Sequence, residues 1–133
     1  MGMDSQGFTL IESVIVVAII AFLAGIAYPG YISHVKRVYR AEIVVLLTEQ
    51  AQHLERFHAR NGSFIDASGV SAGNDRYRIT AALNPQDYRL VATPVADSLM
   101  ASDPCGDFSL TSTGARANPG AAPHMSRKAC WGH

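Results

Sequence analysis

An uncharged, apolar block near the N-terminus constrains this chain more than any other feature. No charged residue occurs between Ser13 and Ser33, and nine of the fifteen residues from Val14 to Tyr28 are Val, Ile, Leu or Phe. At roughly −0.3 to −0.6 kcal/mol each, those nine favour membrane insertion by about 3 to 5 kcal/mol. About 20 apolar residues span a bilayer core, so the block predicts a membrane helix. A buried core helix of a soluble protein is the alternative, which the position next to the N-terminus disfavours.

A cleaved secretory signal peptide is a second alternative. Such a peptide begins with basic residues and ends at a small-residue cleavage site, which Ala24 or Ala27 could supply. The start of this chain, MGMDSQ, instead contains Asp4 and no Lys or Arg. In addition, the carboxylate of Glu12 lies at the edge of the apolar block. A carboxylate in that position is costly without a partner and usually marks a function.

The segment from Gly7 to Tyr31, GFTLIESVIVVAIIAFLAGIAYPGY, closely resembles the prepilin N-terminus of type IV pilins. The resemblance implies cleavage between Gly7 and Phe8 by a prepilin peptidase, methylation of the new amine of Phe8, and retention of the apolar helix. It implies a single-pass precursor in the bacterial inner membrane and, after assembly, an extracellular pilus. The expected partners are other pilin subunits, the peptidase and the inner-membrane assembly machinery.

Glu12 has a physical role in such an assembly. Cleavage would create a positive amine at Phe8, four residues before the carboxylate of Glu12. In a helical bundle the amine of one subunit can pair with Glu12 of a neighbour. Because an unpaired buried charge is strongly disfavoured, this pair would fix the register between subunits more than it would add stability.

The charges around the apolar block predict the opposite membrane orientation. The leader has no basic residue, whereas Lys36, Arg37 and Arg40 follow the block, and basic residues favour the cytoplasmic side. Export by the pilin machinery must override this bias, or the natural start lies elsewhere.

Beyond Pro29 the pattern becomes amphipathic. Residues on one face recur every three or four positions, which predicts a helix to about Arg60: Ile32, Val35, Tyr39, Ile43, Leu46, Gln50, Leu54 and Phe57. Asn61-Gly62 supplies the stop, and Pro29 is expected to kink the helix without ending it. The helix histidines do not all share one face, so surface or packing positions are favoured over metal binding: His34, His53 and His58.

The rest of the chain predicts a small antiparallel sheet after a Gly/Ser/Asn-rich loop with little to pack. The strands are Tyr77 to Leu83, Tyr88 to Thr93 and Phe108 to Thr113, with Asn84-Pro85-Gln86-Asp87 as the first turn. The fold class is therefore α+β, a long spine helix packed against the sheet near Leu46, Leu54 and Phe57. The expected domains are a leader (1–7), a membrane and filament-core half of the helix (8–32) and a head (33–133). Within the head we expect helix 33–60, loop 61–75, sheet 76–113 and a cysteine-bounded loop 105–130.

Cys105 and Cys130 are the two cysteines, and in an exported chain they allow one intramolecular bridge. A zinc site would need His124 and His133 as further ligands, and it lacks the paired spacing of zinc motifs. No metal and no cofactor is therefore expected.

Three head segments extend the resemblance: Leu54–Phe64 (LERFHARNGSF), Asp103–Arg116 (DPCGDFSLTSTGAR) and Cys130-Trp131. They are similar to the heads of minor pilins of the PilE and ComP kind, some of which act as DNA-uptake receptors. The resemblance implies the type IV pilin fold with a C-terminal loop closed by a Cys105–Cys130 disulfide.

The function expected from the sequence is a structural subunit, a minor pilin that supports pilus assembly, twitching motility or adhesion. No catalytic or nucleotide-binding motif is present, and 11 basic against 11 acidic residues give no global charge argument for nucleic acid. One alternative is a pilin that binds extracellular DNA for natural transformation, and another is a pseudopilin of a type II secretion system.

The DNA alternative depends on the cysteine-bounded loop. There Arg116, Arg127 and Lys128 outnumber Asp107, and basic residues beside an aromatic ring can neutralise phosphates and stack on a base. His124 and Trp131 lie nearby in sequence. The ordinary interpretation is a solvated loop, with Trp131 packed beside the disulfide.

Overall fold

The computed structural model describes residues 9–132. The leader, the cleavage pair Gly7 and Phe8, and the zinc candidate His133 lie outside these residues. The described elements are α1 (Leu10–Asn61), β1 (Tyr77–Leu83), β2 (Tyr88–Pro94), a 3-10 helix (Leu99–Ser102), β3 (Phe108–Thr111), β4 (Arg116–Ala117) and α2 (Arg127–Trp131). The chain separates into two compact units, residues 1–35 and 36–133.

In the first unit, α1 exposes the apolar block. An 18-residue window of the helix has a mean hydropathy of 2.7, and none of it is buried within the protein. By length and composition this helix can cross a membrane. α1 continues through Pro29 as one helix, although Pro29 lacks the N–H that would bond the carbonyl four residues earlier. The kink at Pro29 stays a prediction.

In the second unit, one face of α1 forms the floor of the hydrophobic core. Ile43, Leu47 and Leu54 are completely buried, whereas Leu46 and Phe57 are only partly buried. The predicted contact at Leu54 is confirmed, and Leu46 packs against the edge of the core, next to the fully buried Leu47. Leu46 lies about 100° around the helix from Leu47, which puts it on the flank of the core instead of its centre.

The sheet has four antiparallel strands in the order β1-β2-β3-β4. The predicted strands and the first turn are confirmed, with Leu83 opposite Tyr88. β3 ends at Thr111, two residues earlier than predicted, because Gly114 adopts a φ of 84° and its N–H donates to the Thr111 carbonyl at 2.9 Å. The tight turn leads into β4, which is too short to show alternation. The inner face completes the core on α1: Tyr77, Ile79, Tyr88, Leu90, Ala92, Phe108 and Leu110.

α1 ends at Asn61, where the Asn61-Gly62 pair predicted its end. Gly62 follows Asn61 with a φ of 73°, and its N–H donates to the His58 carbonyl at 2.7 Å. Glycine adopts this left-handed conformation without steric cost, which is why it so often follows the last helical residue.

The loop after α1 packs more tightly than its composition suggested. Phe64 is 3 % exposed, stacks on His58 with ring centroids 4.4 Å apart and meets Tyr88 edge-on at 5.0 Å. Two helix side chains hold the loop further along. His53 Nε2 lies 2.5 Å from the Ser68 carbonyl oxygen, and Gln50 Oε1 accepts from the Ser71 N–H at 2.8 Å. His53 and His58 are therefore packing residues, whereas His34 is exposed.

Candidate functional site

The start of α1 carries the first candidate site, and its local structure comes from Thr9 and Glu12. Thr9 Oγ1 accepts a hydrogen bond from the Glu12 N–H at 3.1 Å, so Thr9 caps the helix and Glu12 lies in its first turn. Thr-x-x-Glu is the pattern of a capping box, in which the Glu side chain can return to the cap residue. The capping role of Thr9 was not predicted from the sequence, although this spacing could have revealed it.

The surroundings of Glu12 on the helix are apolar and open. Leu10 is 81 % exposed and Ile11 is 71 % exposed. A carboxylate in the first turn is favoured by the partial positive charge of the helix N-terminus. The arrangement therefore places Glu12 in the capped first turn of the helix, among exposed apolar side chains.

The second candidate site is the cysteine-bounded part of the head. Asp103, two residues before Cys105, forms a buried ion pair with Arg40 of α1. Arg40 donates to both carboxylate oxygens of Asp103, with Nε 2.9 Å from Oδ2 and Nη2 2.5 Å from Oδ1. The side chains of Arg40 and Asp103 are 12 % and 0 % exposed. The Cys105 N–H also lies 3.4 Å from Asp103 Oδ2. A bidentate pair of this kind is strong and geometrically specific, and the sequence analysis did not identify it.

The phenol of Tyr77 lies in the same interior. Burial raises its pKa above the ordinary value of 10.0, the Asp103 carboxylate raises it further, and Arg40 partly offsets the effect. Because the folded-state pKa is the higher one, the neutral phenol contributes its full stability below pH 10. That contribution is lost as the pH rises through the folded-state pKa.

The disulfide implied by the resemblance is present. Cys105 and Cys130 are bonded, with their Cα atoms 5.8 Å apart, and both residues are buried. On the chain-entropy model, closing this loop stabilises the head by roughly 3–3.5 kcal/mol. Bonded cysteines offer no thiolate to zinc. Among residues 9–132, no group of three or more His, Cys, Asp or Glu side chains could hold a metal ion.

Three basic residues of the cysteine-bounded part lie on β4 and α2, close to Trp131 in space or in sequence. Arg116, on β4, places its guanidinium carbon 5.8 Å from the centre of the Trp131 ring. Arg127 and Lys128 lie one turn before Trp131 on α2 and are exposed. Ser126 caps α2 by accepting from the Ala129 N–H at 3.1 Å. Arg116 of β4 thus lies beside α2, the helix that carries Arg127 and Lys128. His124 is exposed in the preceding turn.

Trp131 itself faces inward. It is 3 % exposed and meets Phe108 edge-on with ring centroids 5.3 Å apart. A ring buried to this extent cannot stack on a nucleic-acid base. The stacking role considered for Trp131 was therefore wrong, and the ordinary interpretation, packing next to the disulfide, is confirmed.

Two family models match this chain. Residues 29–109 match the family described as "Type IV minor pilin ComP, DNA uptake sequence receptor". Residues 2–28 match the prokaryotic N-terminal methylation motif. Together these matches cover the apolar block, the amphipathic part of α1 and most of the sheet.

Curated relatives are fimbrial proteins. A fimbrial protein of Dichelobacter nodosus is 35 % identical over 96 residues, which are 69 % of this chain and 60 % of the relative. The type IV major pilin protein PilE1 of Neisseria gonorrhoeae is 34 % identical over 68 residues, which are 51 % of this chain and 41 % of the relative. The chain thus spans 60 % or less of the length of these relatives.

Solved structures share the fold. A type IV pilin from Shewanella oneidensis aligns with a TM-score of 0.54 and 31 % identity, covering 74 % of this chain and 99 % of that pilin. The non-core minor pilin PilV of Neisseria meningitidis aligns with a TM-score of 0.59 and 24 % identity, covering 71 % of this chain and 94 % of PilV. With a family model matching more than half of its residues, a methylation motif at its start and this fold, the chain belongs to the type IV pilins, in the ComP family of minor pilins.

Proposed function

We propose that this protein is a structural subunit of an extracellular type IV pilus, held in the inner membrane by α1 before it is assembled. The observation that carries the proposal is the apolar half of α1, whose most apolar window is completely unburied in the protein. Exposed hydrocarbon on this scale is strongly unfavourable in water. Lipid can cover it before assembly, and the helices of neighbouring subunits can cover it afterwards.

Processing and register complete the proposal. A prepilin peptidase cuts between Gly7 and Phe8, the Phe8 amine is methylated, and the assembly machinery moves the subunit from the membrane into the filament. The Phe8 amine of an incoming subunit pairs with Glu12 of a neighbour. The methylation-motif match over residues 2–28 and the position of Glu12 in the first turn of α1 support this sequence of events.

Replacing Gly7 tests the processing step. The Gly7→Leu protein should remain uncut in the inner membrane, because a peptidase acting at this bond needs close approach to a backbone without a side chain. Mass spectrometry of the membrane and sheared pilus fractions gives the first residue of each subunit. Wild-type filaments should contain a subunit that begins with methylated Phe8.

The matched control is Gly2→Leu, the same replacement within the leader and away from the cut, which should be processed normally. Assembled subunits that still begin at Met1 would contradict the proposal.

We propose DNA binding by the head as a second function. Its support is Arg116 beside the Trp131 ring, Arg127 and Lys128 exposed on the helix that ends at Trp131, and a family whose description includes a DNA uptake sequence receptor. Because Trp131 is buried, the contacts would be made by the basic side chains to phosphate oxygens. Such contacts release counterions and weaken steeply as salt rises.

The triple variant with Arg116, Arg127 and Lys128 changed to Ala tests DNA binding. Three lost phosphate contacts should flatten the slope of log affinity against log salt by about 2.7, at about 0.9 per contact. The measurement is a titration of labelled duplex with the full-length subunit in non-ionic detergent at several salt concentrations.

A second triple variant is the control and should bind as the wild type does, because its residues are exposed elsewhere on the head: Arg60, Arg78 and Arg89 changed to Ala. Equal slopes for the two triple variants would refute a DNA site on the surface around Trp131 and leave the scaffold role untouched.

A further inference from the structure

Three basic residues follow the uncharged block, and two of them make side-chain hydrogen bonds within the head. Lys36 Nζ donates to Ser102 Oγ at 3.2 Å, and Arg40 is paired with the buried Asp103. Arg37 lies between them, is exposed, and makes no ion pair with the residues the structure describes. The Arg37 guanidinium is therefore available to a ligand.

Arg37 lines a small cleft between α1 and the C-terminal helix. The cleft has a volume of about 180 Å³, and its walls are Arg37, Arg40 and Ala41 of α1 with residues 129–132 at the end of α2. Arg127 and Lys128 precede that wall on α2. Since the charge of Arg40 is compensated by Asp103, the cleft carries a net positive charge that suits a phosphate group.

The sequence around the cleft indicates where such a phosphate would come from. Tyr28 and Tyr31, at the end of the uncharged block, are 66 % and 64 % exposed, and exposed tyrosines are enriched at the membrane–water interface. Arg37 follows Ser33, the last residue of the block, by four residues.

We propose that the cleft between Arg37 and α2 binds the phosphate headgroup of an anionic lipid while the subunit waits in the membrane. The proposal rests on the membrane residence of the precursor and goes beyond its role as a filament subunit. The bound headgroup would compensate Arg37 at the membrane surface. Because the lipid must be left behind when the subunit enters the filament, each such contact opposes extraction and helps to retain unassembled subunits.

Trp131 provides the reporter, because it is the only tryptophan of the chain and forms part of the cleft wall. Full-length subunits are reconstituted in phosphatidylcholine vesicles that contain a nitroxide-labelled lipid, either phosphatidylglycerol or phosphatidylcholine, with the label near the headgroup. Quenching of the Trp131 emission then measures which lipid occupies the cleft. A basic residue near an anionic surface contributes about 1 kcal/mol, which corresponds to about a 5-fold preference for labelled phosphatidylglycerol.

The Arg37→Gln variant should lose this preference, and Arg60→Gln, the same change at an exposed arginine near the end of α1, should keep it. Equal quenching by the two lipids in the wild type, or an unchanged preference in Arg37→Gln, would overturn the lipid site. A flotation assay distinguishes failure of the lipid site from failure of membrane residence. A protein that does not float with the vesicles would contradict membrane residence itself.

Discussion

Glu12→Ala subunits should be cleaved and retained in the membrane, yet should be almost absent from filaments. Removing the carboxylate leaves the Phe8 amine of the neighbouring subunit unpaired among apolar helices, at a cost of about 3–5 kcal/mol. That cost corresponds to a loss of incorporation on the order of 100-fold or more. The measurement is the ratio of subunit in sheared filaments to subunit in the membrane fraction, with cleavage checked by mass spectrometry.

Two further variants separate the possible roles of Glu12. Glu12→Gln keeps a side chain that can complete the Thr9 capping box but removes the charge, so it should assemble as poorly as Glu12→Ala. Glu49→Ala removes an exposed carboxylate from the head part of α1 and should assemble normally. Efficient incorporation of Glu12→Gln would show that the side chain acts through the helix cap and not as the charge that fixes register.

The second large effect concerns the stability of the head. Asp103→Ala should lower its free energy of unfolding by about 3–5 kcal/mol, because the substitution leaves the mostly buried guanidinium of Arg40 without a partner. The loss is a large fraction of the 5–15 kcal/mol that typically stabilises a domain. Denaturant unfolding followed by Trp131 emission would measure it, since Trp131 packs on Phe108 in the same core.

Glu42→Ala is the matched control for Asp103→Ala. Glu42 also pairs with an arginine, Arg76, but at 3.6 Å and with its side chain 50 % exposed. Exposed ion pairs contribute about 0–1 kcal/mol, so this variant should unfold almost as the wild type does. Similar losses in the two variants would mean that burial of the Arg40–Asp103 pair is not what makes it important.

Local patterns in the sequence were enough to predict most of the secondary structure. The uncharged block, the three-to-four-residue spacing after Pro29 and the apolar–polar alternation in β2 and β3 each report the environment of neighbouring residues along one element. Asn61-Gly62 likewise ends α1 through its own backbone preferences. The pairing of Cys105 with Cys130 followed from the family resemblance together with the presence of only two cysteines.

Positions that depend on more than one element were predicted less well. Leu46 and Leu47 are both apolar and adjacent, and only the approach of the sheet decides which of them is central in the core. Phe64 lies in a loop whose composition predicts little packing. Its side chain is nevertheless buried, because it fills a gap beside His58 and Tyr88. A one-dimensional pattern contains no information about such gaps, because they exist only after α1 and the sheet have met.

The sequence by itself determined that this chain is a pilin-like protein with an apolar helix, a small sheet and one possible disulfide, since these depend on residue types at short spacings. Only the tertiary structure decided how its charges are used. It pairs Arg40 with Asp103, which is 63 residues away, and brings Arg116 beside a buried Trp131. Among the residues that the structure describes, it gives Arg37 no ion-pair partner at its cleft. The physical reason is that the energy of a charge depends on burial and on the partner within a few ångströms, and the folded chain sets both.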